Sequence, residues 1–368
     1  MTDLSWSPQQ ETAIKAVEIW LGESGQQVFY LAGFAGTGKT TLAKELAKGV
    51  KKKVLYGAFT GKAALVLRGK GCKGASTIHS MIYTLDDDSH GQPRFVLNKN
   101  SEVANAGLVI IDECSMVGEE LGRDLLSFGT KVLVLGDPAQ LPPVKGEGFF
   151  TSRQPDVMLT DIHRQAAESP IIRMSMDIRE GRRLEHGTFG DSRVIGKADL
   201  HHKDVLCADQ VLVGLNRTRQ SWNRRIRELL GLDPDQPQLD DKLVCLRNNR
   251  EKGLLNGGIW TVSDISSVDD ERIEMTVTPA DPGGSTDQKN VIVRHEFFEG
   301  TESDLAWEDR RGTDEFTYGY ALTTHKSQGS QWDNVLVFDE SAAFRNDRNR
   351  WLYTAVTRAA ETVTVVMR

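Results

Sequence analysis

Long hydrophobic runs, closely spaced cysteines and an excess of positive charge are all missing from this sequence of 368 residues. No run of about 18 apolar residues occurs, which excludes an ordinary membrane-spanning helix. The four cysteines lie far apart without a CxxC pair, so neither a disulfide framework nor a zinc site is predicted. Residues 1–8 have neither a basic start nor an apolar stretch, and we therefore expect no secretory signal and a cytoplasmic location.

The net charge of −7 lacks the basic footprint that nucleic-acid-binding proteins usually carry. A narrow groove can still be basic on an acidic molecule, so this charge does not exclude a nucleic-acid partner. Hydrophobic residues make up 39% and charged residues 26%, a mixture typical of soluble globular proteins. A chain of this length is too long for one ordinary core, and at least two domains are predicted.

Short apolar runs alternate with helical stretches over residues 1–150, a pattern typical of a parallel sheet covered by helices. Each run is apolar throughout, as expected for strands that are buried on both faces. The predicted strands are Val28–Ala32, Val54–Phe59, Leu108–Ile111 and Val132–Leu135. A helix is predicted over Thr40–Lys48, and a small hairpin with a polar tip over Tyr83–Asn98.

A second α/β rhythm begins near Val157 and resumes at Tyr318 after an interruption. Its predicted elements are strands at 211–214, 335–338 and 363–366 and helices at 218–230 and 351–358. The interruption contains four short predicted strands with turn residues between them, at 243–246, 259–262, 273–277 and 291–293. We therefore predict two doubly wound α/β domains, residues 1–151 and residues 152–240 with 316–368, and a small all-β insert at 241–315.

The segment Gly33–Thr40 fits the pattern GxxxxGK[ST] and lies between a predicted strand and a predicted helix. Glycines let backbone N–H groups curl around phosphate oxygens, and the helix N-terminus adds favourable partial charge. Lys39 is therefore expected to reach the β- and γ-phosphates of ATP, and Thr40 to hold Mg²⁺. The alternative, a glycine-rich turn without a ligand, is disfavoured by the flanking strand and helix. The predicted ATP-binding residues here are Gly33, Gly36, Thr37, Gly38, Lys39, Thr40 and Thr41.

Two further strand ends carry polar residues that suit the same nucleotide. Asp112 and Glu113 follow the run Leu108–Ile111, so that Asp112 is expected to bind Mg²⁺ and Glu113 to deprotonate the attacking water. A solvated acidic pair is the alternative, but a P-loop requires such a carboxylate partner. In the segment Gly136–Pro143, Gln140 is a candidate sensor of the γ-phosphate, although an ordinary turn explains this segment equally well when it is taken alone.

Five motifs follow one another in order over nearly the whole chain: Gly33–Thr40, Asp112–Met116, Gly136–Pro143, Tyr318–Gly329 and Tyr353–Arg358. This series resembles the motif series of superfamily 1 helicases, and within them the RecD-like branch, which includes the phage Dda helicase. The resemblance implies two RecA-like parallel-sheet P-loop domains. It also implies that the hairpin at 83–98 is an excursion from the first domain and that the insert is an SH3-like β-barrel in the second.

The resemblance also implies roles for residues outside the P-loop. Gln10 matches the glutamine that reads adenine, and Gly329 lies in a motif that touches both DNA and nucleotide. Arg164 and Arg358 match arginines that reach the γ-phosphate from the second domain. Taken alone, each arginine would more commonly form a surface salt bridge, and only the motif context reverses that expectation.

Further matches concern DNA. The residues implied to contact DNA are Thr60, Gly61, Lys62, Thr77, His79, Asn256, Thr324, His325 and Lys326. The hairpin at 83–98 matches the position of the pin that splits base pairs in related helicases. Its Phe95 either stacks on a DNA base or anchors the hairpin to its domain, and the sequence leaves both options open. Phe59 stands where the family pattern has proline.

The function that these motifs imply is an ATP- and Mg²⁺-dependent DNA helicase. It is expected to move on single-stranded DNA from 5′ to 3′, to unwind duplex at a fork and to act as a monomer without a membrane. Replication or recombination proteins in a bacterial or phage-infected cell are the expected partners. Two alternatives remain open: an RNA-directed or Pif-type helicase with the same engine, and a P-loop switch whose ATPase ignores DNA.

Overall fold

The computed structural model describes residues 6–87, 93–144, 146–161, 168–233, 236–249, 251–280 and 287–367. Two predictions lie outside these ranges, namely the role of Arg164 and the polar tip of the hairpin at 88–92. The chain divides into two compact units, Met1–Ile172 and Arg173–Arg368. Every helix in the described ranges is too short or too polar to span a bilayer.

A six-stranded parallel sheet forms the centre of the first unit. Its strands are β1 (Val28–Gly33), β2 (Val54–Ala58), β3 (Ser76–Thr77), β6 (Leu108–Asp112), β7 (Val132–Gly136) and β8 (Val157–Leu159). They lie in the order β3, β2, β6, β7, β1, β8, and all neighbours are parallel. Alternate residues of β6 pack into separate cores, Ile110 on one face of the sheet and Ile111 on the other. The prediction of strands buried on both faces is thereby confirmed.

Helices cover this sheet. Those of the first unit are α1 (Pro8–Gly22), α2 (Lys39–Leu46), α3 (Gly61–Gly69), α4 (Ile78–Ile82) and α5 (Glu119–Leu126), with 3₁₀ turns at Glu102–Asn105 and Cys114–Met116. Three helices begin at a hydroxyl that accepts a bond from a backbone N–H two or three residues into the helix, namely Ser7, Thr60 and Thr77. The helix predicted at Thr40–Lys48 is α2.

The edge strand β8 differs from the prediction. The sequence rhythm placed the start of a second α/β unit near Val157, but Leu31 of β1 pairs with Val157 of β8 in the first sheet. Asp156 fixes this position, because its carboxylate accepts bonds from the N–H of Tyr30 at 2.7 Å and from Gln26 at 2.8 Å. A short apolar run does not reveal which sheet it joins, since its pairing is decided by such contacts between distant residues.

The predicted hairpin is confirmed. Strands β4 (Tyr83–Asp87) and β5 (Pro93–Leu97) pair antiparallel, with Tyr83 opposite Leu97. At the base of the hairpin the Tyr83 hydroxyl donates to the Asp124 carboxylate on α5 at 2.5 Å. This bond ties the hairpin to the first unit.

A second six-stranded sheet lies in the second unit. Its strands are β9 (Gly187–Phe189), β10 (Ser192–Gly196), β11 (Gln210–Val213), β17 (Ala321–Thr323), β18 (Trp332–Phe338) and β19 (Ala359–Met367). They follow the order β17, β11, β18, β19, β10, β9, parallel except for the edge pair β10 and β9. The associated helices are α6 (Pro170–Arg179), α7 (His202–Leu206), α8 (Asn216–Leu229) and α10 (Arg348–Val356), with 3₁₀ turns at Lys197–Asp199 and Ser341–Asp347. The α/β elements predicted for this part are thereby confirmed.

The all-β insert is present as a five-stranded antiparallel sheet. Its strands are β12 (Lys242–Cys245), β13 (Ile259–Val268), β14 (Arg272–Pro279), β15 (Lys289–Arg294) and β16 (Phe316–Tyr318), with helix α9 (Glu296–Glu299) and 3₁₀ turns at Glu302–Asp304 and Glu308–Arg310. The order is β15, β14, β13, β12, β16. The prediction ended the second strand at Val262, whereas β13 continues to Val268. The extra residues are mostly exposed, so they lack the apolar pattern that marks a buried strand.

A buried ion pair joins the insert to the α/β part of the second unit. Arg227 of α8 and Asp241, next to β12, are both fully buried, and Nε of the arginine lies 2.9 Å from the carboxylate. The guanidinium stacks on the ring of Tyr318 at 4.0 Å, and the hydroxyl of Tyr320 donates to Asp241 at 2.9 Å. These contacts fix both ends of the insert to α8. The predicted boundaries of the three functional domains, at residues 151, 240 and 315, stay a prediction.

Candidate functional site

The P-loop forms the turn between β1 and α2. Gly36 and Gly38 adopt positive φ angles of 80° and 79°, a conformation that glycine reaches without steric cost. A Cβ at Gly33 would lie 2.6 Å from the Thr37 hydroxyl, so the close curl of the loop also needs glycine there. Nζ of Lys39 donates to the carbonyls of Gly33 at 2.6 Å and Phe34 at 3.0 Å. The lysine therefore lies folded over the loop that would hold the phosphates.

Gln10 lies beside this loop. Its side-chain amide donates to the Thr37 carbonyl at 3.1 Å, and its amide oxygen accepts from the N–H of Ser7 at 3.0 Å. The residue is almost fully buried, so the capping box of α1 holds the amide against the P-loop. Gln10 is thus placed next to a predicted nucleotide site by a local helix cap.

Asp112, at the end of β6, lies next to Thr40 at the start of α2. The pKa of Asp112 is raised above its ordinary value, mainly by burial and also by the neighbouring Glu113 carboxylate. Hydrogen bonds from the Thr40 hydroxyl and the N–H of Glu113, together with the Lys39 ammonium, offset part of this rise. A carboxylate and a hydroxyl are oxygen ligands of the kind that Mg²⁺ prefers. The donor set therefore fits the predicted metal, and Mg²⁺ bound there would screen phosphate charge.

Glu113 has an unusual backbone. Its φ of 53° is left-handed, a conformation that costs a residue with a side chain of the order of 1 kcal/mol or more. Its N–H donates to Asp112 Oδ1 at 2.9 Å, which couples the two carboxylate residues. Strain of this kind collects at functional sites, where the surrounding structure maintains it.

The packing of Cys114 helps to maintain the left-handed backbone conformation of Glu113. The thiol is fully buried, and burial together with the Asp112 and Glu113 carboxylates raises its pKa, so it stays protonated at neutral pH. A Cβ at Gly136, the last residue of β7, would lie 2.5 Å from Cys114 Sγ. The thiol therefore fills the space that glycine leaves on the adjacent strand, and this contact positions the residue after Glu113.

Gly136→Ala is expected to lower ATP turnover by up to about 10²-fold, because the new methyl group displaces Cys114 and with it Glu113. Adding Cys114→Ala removes the sulfur and is expected to restore most of the turnover. Gly118→Ala is the matched control, since a Cβ there has open space among the described residues. Steady-state ATPase assays of the variants test this contact. Equal impairment of the single and double variants would contradict it.

Gln140 and Asp137 lie in the loop that follows β7, and both are buried. The Asp137 carboxylate accepts from the N–H of Ala139 at 2.9 Å, which shapes the loop. Oε1 of Gln140 is buried and accepts no hydrogen bond from the residues that the structure describes. A buried amide oxygen without a donor is costly, so this atom is available to a water or ligand donor at the site.

The first unit also contains the residues implied to contact DNA. Thr60 and Thr77 cap α3 and α4 and are therefore already engaged with backbone N–H groups. Gly61 is buried and Lys62 is only 8% exposed, so little of the surface of either residue faces solvent.

His79 belongs to an aromatic group that sequence reasoning did not recognise as one cluster. Its ring centroid lies 6.0 Å from Phe59, 5.7 Å from Tyr83 and 6.1 Å from Phe95. Burial lowers the pKa of His79, so its imidazole is neutral at neutral pH. Phe95 stays 60% exposed although Tyr83 and His79 support it. Phe59 thus packs against His79, which in turn contacts Tyr83 and Phe95 of the hairpin.

The second unit contains the remaining predicted residues. Thr324 is fully buried and bonds to the Val213 carbonyl, and Gly329 turns the chain with a φ of 75°. Burial lowers the pKa of His325, and burial and the Arg219 charge lower that of Lys326, although Lys326 as a whole is exposed. The N–H of Asn256 donates to the Asn248 side chain at 2.7 Å in the insert.

Arg358, at the end of α10, is only 6% exposed. Its guanidinium donates to the carbonyls of Thr354 at 3.1 Å and Ser330 at 3.2 Å and to the Thr357 hydroxyl at 3.4 Å. The side chain is therefore fixed beside the segment that follows Gly329. The structure brings Gln10, Lys39, Thr40, Asp112 and Glu113 together in the first unit. In the second unit Arg358 contacts Ser330, the residue that follows Gly329.

Comparisons with known proteins agree with this arrangement. A family model described as an AAA domain matches residues 5–196, which is more than half of the chain. A second model, described as the UvrD-like helicase C-terminal domain, matches residues 318–366. The P-loop lies in the first match and Arg358 in the second.

Curated relatives and solved structures extend this result. The chain is 31% identical over 367 residues to the ATP-dependent RecD2 DNA helicase of Deinococcus radiodurans, covering 92% of this chain but only 46% of that protein. It is 24% identical over 387 residues to the ATP-dependent DNA helicase Pif1 of Bdellovibrio bacteriovorus, covering 90% of this chain and 82% of that protein. Bacteroides Pif1 bound to single-stranded DNA shares the fold, with a TM-score of 0.58 at 18% identity over 98% of this chain and 92% of that chain.

The chain thus spans less than half the length of its RecD2 relative, while its fold extends over nearly all of a Pif1 chain. The family model covers the P-loop, Asp112, Glu113 and Gln140. The chain therefore belongs to the family that the AAA-domain model describes, and its similarity to the RecD2, Pif1 and Dda helicases agrees with the RecD-like, Pif1 and Dda branch of superfamily 1.

Proposed function

We propose that this chain is a DNA-dependent ATPase that moves along single-stranded DNA and unwinds duplex. The observation that carries the proposal is the contact between Thr40 and Asp112, with Glu113 held beside them in a strained left-handed conformation. This set supplies a metal-binding hydroxyl, a metal-binding carboxylate and a general base at the carboxyl ends of β1 and β6. Relatives that are named ATP-dependent DNA helicases support the same function.

Each residue has a distinct task in hydrolysis. Lys39 leaves the carbonyls of Gly33 and Phe34 and neutralises charge on the β- and γ-phosphates of ATP. Glu113 accepts a proton from the attacking water, and Gln140 uses its free amide oxygen to orient that water. Gln10 recognises adenine with the amide that now donates to Thr37.

The second unit is proposed to contribute a positively charged side chain that contacts ATP when ATP is bound. Arg358 of this unit is proposed to reach the γ-phosphate and Gly329 to lie against the nucleotide; Arg164 is proposed for the same role from its motif alone. Arginines of one domain that stabilise charge on ATP held by another draw the two together only while ATP is present. Hydrolysis then releases them. If each unit also holds DNA, alternate closing and opening moves the chain along the strand.

Both units are proposed to hold single-stranded DNA. In the first unit Thr60, Gly61, Lys62, Thr77 and His79 line the track. The neutral state of His79 suits hydrogen bonding and stacking better than ionic contact. In the second unit the track comprises Thr324, His325 and Lys326, and Asn256 in the insert. We assign the insert as an SH3-like β-barrel, because its five short antiparallel strands and its position between β11 and β17 suit that module.

The experiment that tests the function measures ATP hydrolysis with and without single-stranded DNA, and then with single-stranded RNA. DNA is expected to stimulate turnover more strongly than RNA. Stimulation by RNA alone would favour an RNA-directed motor, and no response to either would favour a P-loop switch. Strand separation is then compared on duplexes with a 5′ or a 3′ tail. Opening of the 5′-tailed duplex alone is expected, and the reverse preference would contradict the polarity but leave the ATPase intact.

The hairpin is proposed to be the wedge at the fork. Phe95 is 60% exposed and is supported from behind by Tyr83 and His79, a geometry suited to stacking on a base. Replacing Asp86–Pro93 with a two-residue turn is expected to abolish unwinding while DNA-stimulated ATPase persists, because the bond from Tyr83 to Asp124 still anchors the base. Unwinding and ATPase assays of the shortened chain test this. Full-rate unwinding would exclude the wedge, and a parallel loss of ATPase would indicate a supporting role.

A further inference from the structure

Three loops meet at the carboxyl edge of the second sheet. Strands β11, β17 and β18 are neighbours and parallel, so the segments that follow them emerge on the same side. The segments are Gly214–Arg217 after β11, Thr324–Lys326 after β17 and Asp339–Arg348 after β18. The first and third have no part in the proposed function so far.

Glu340 joins the first and third loops. Its buried carboxylate accepts bonds from the N–H of Gly214 at 2.8 Å, the N–H of Leu215 at 3.0 Å and the hydroxyl of Thr218 at 2.8 Å. A side chain at Gly214 would meet Phe344 at 2.8 Å and Glu340 at 2.9 Å, so glycine permits this close approach. The start of α8 is therefore fixed against the loop after β18.

Phe344 joins the third loop to the second. Its ring lies 5.7 Å from that of His325 and stacks on Trp351 at 5.5 Å with an interplanar angle of 16°. Trp351 is fully buried, which makes the stack a firm support. With Phe344 held inward, the next residue is directed away from this support.

That next residue, Arg345, is strained and exposed. Its φ of 46° and ψ of −108° lie in a region that residues with side chains rarely adopt. The guanidinium forms no hydrogen bond or ion pair with any residue in the described ranges. Arg348 is also exposed and bonds only weakly to the Ser341 hydroxyl at 3.3 Å. Two arginines thus face solvent, Arg345 from a loop position with an unfavourable backbone conformation and Arg348 from the first residue of α10.

The acidic groups of the same loop do not neutralise these arginines. Asp347 pairs with Arg350 at 3.2 Å, and Asp339 accepts from the N–H of Ser341 at 2.9 Å. Glu340 is buried. On a chain of net charge −7, this leaves Arg345 and Arg348 without an ion-pair partner among the described residues, close in the chain to Phe344, which contacts His325. Exposed arginines of this kind fit a polyanion whose charges repeat along an extended path.

We propose that Arg345 and Arg348 bind backbone phosphates of single-stranded DNA and extend the track beyond Thr324–Lys326. The inference rests on the proposed function and adds a phosphate site that the motif series does not contain. Arginine suits this task because its planar guanidinium binds two phosphate oxygens at once. The strain at Arg345 is then the consequence of directing its side chain to the strand while Phe344 stays packed on Trp351.

The test is the salt dependence of binding to a fluorescein-labelled oligo-dT. Each phosphate contact to a single strand contributes about 0.7 to the slope of log K against log salt. Arg345→Ala and Arg348→Ala are each expected to reduce the slope by about 0.7, and the double variant by about 1.4. Over a fourfold rise in salt, each variant should therefore lose roughly 2.6-fold less affinity than the wild type. Arg345→Lys and Arg348→Lys should keep most of the slope, because the charge remains.

Two controls separate charge from folding. Glycine tolerates the positive φ, and Arg345→Gly removes the charge. This variant should therefore reduce the salt slope by the same amount as Arg345→Ala. Arg224→Ala, on an exposed position further along α8, should match the wild type. The DNA concentration for half-maximal ATPase should rise in the Arg345 and Arg348 variants while the maximal rate is retained. Wild-type slopes in both alanine variants would overturn this inference alone, whereas a wild-type chain that binds no oligo-dT would overturn the proposed function itself.

Discussion

Glu113→Gln is expected to bind ATP with nearly unchanged affinity and to hydrolyse it about 10²- to 10⁴-fold more slowly. The amide has the size and shape of the carboxylate but cannot accept a proton from water. The backbone of residue 113 is held by its N–H bond to Asp112 and by the packing of Cys114 against Gly136. These contacts do not involve the Glu113 side chain, so the substituted residue should keep its position.

Single-turnover hydrolysis and equilibrium binding of a fluorescent ATP analogue separate the chemical step from affinity. Lys39→Ala offers a contrast, because it removes charge from the phosphate site and should also abolish turnover while the fold persists. Glu119→Gln is the matched control, since Glu119 is exposed and pairs with Arg123 at 2.6 Å on α5. Turnover by Glu113→Gln within threefold of the wild type would mean that another group activates the water.

The P-loop and the Asp112–Glu113 pair were predictable because their chemistry is local. A strand, a glycine-rich turn and a helix follow one another within Val28–Leu46, and each carries its own signal in composition. The carboxylates come directly after an apolar run, and parallel strands bring such ends to one edge. The sequence alone therefore predicts that the P-loop and the two carboxylates lie at the same edge of the sheet.

The contacts that hold Glu113 were not predictable in the same way. Cys114 and Gly136 are 22 positions apart, and nothing in either segment reveals that the thiol fills the space at the glycine. The same reason explains why the sequence rhythm does not reveal that Val157 pairs with Leu31, which lies far away in the chain. Pairing between distant residues leaves little trace in a single sequence.

The aromatic cluster gives a third case. Phe59, His79, Tyr83 and Phe95 lie on four different elements or loops, and each looks ordinary in its own segment. The sequence is compatible with two roles for Phe95, stacking on a DNA base or anchoring the hairpin to its domain. The structure shows both properties at once, since the ring contacts Tyr83 and His79 and still exposes 60% of its surface. The choice between the two roles therefore depends on the unwinding experiment.

Arg358→Ala is expected to retain ATP binding but to lose at least about 10³-fold in DNA-stimulated turnover, as for arginines that stabilise a phosphoryl-transfer transition state. The side chain also has a structural task, because it donates to the Thr354 carbonyl near the end of α10 and to the Ser330 carbonyl. Loss of such charged hydrogen bonds costs about 1.5–3 kcal/mol each, so stability must be measured beside activity.

The two roles give different results in paired variants. Arg358→Lys keeps the positive charge near the helix end but lacks the planar fork, so a purely structural role predicts turnover close to wild type. A role at the γ-phosphate predicts that Arg358→Lys stays well below wild type even where its thermal unfolding matches. Thr357→Ala removes only the weakest of the three partners, at 3.4 Å, and serves as the control for local packing. Normal turnover in folded Arg358→Ala would remove this residue from the catalytic site and leave Arg164 as the arginine to test.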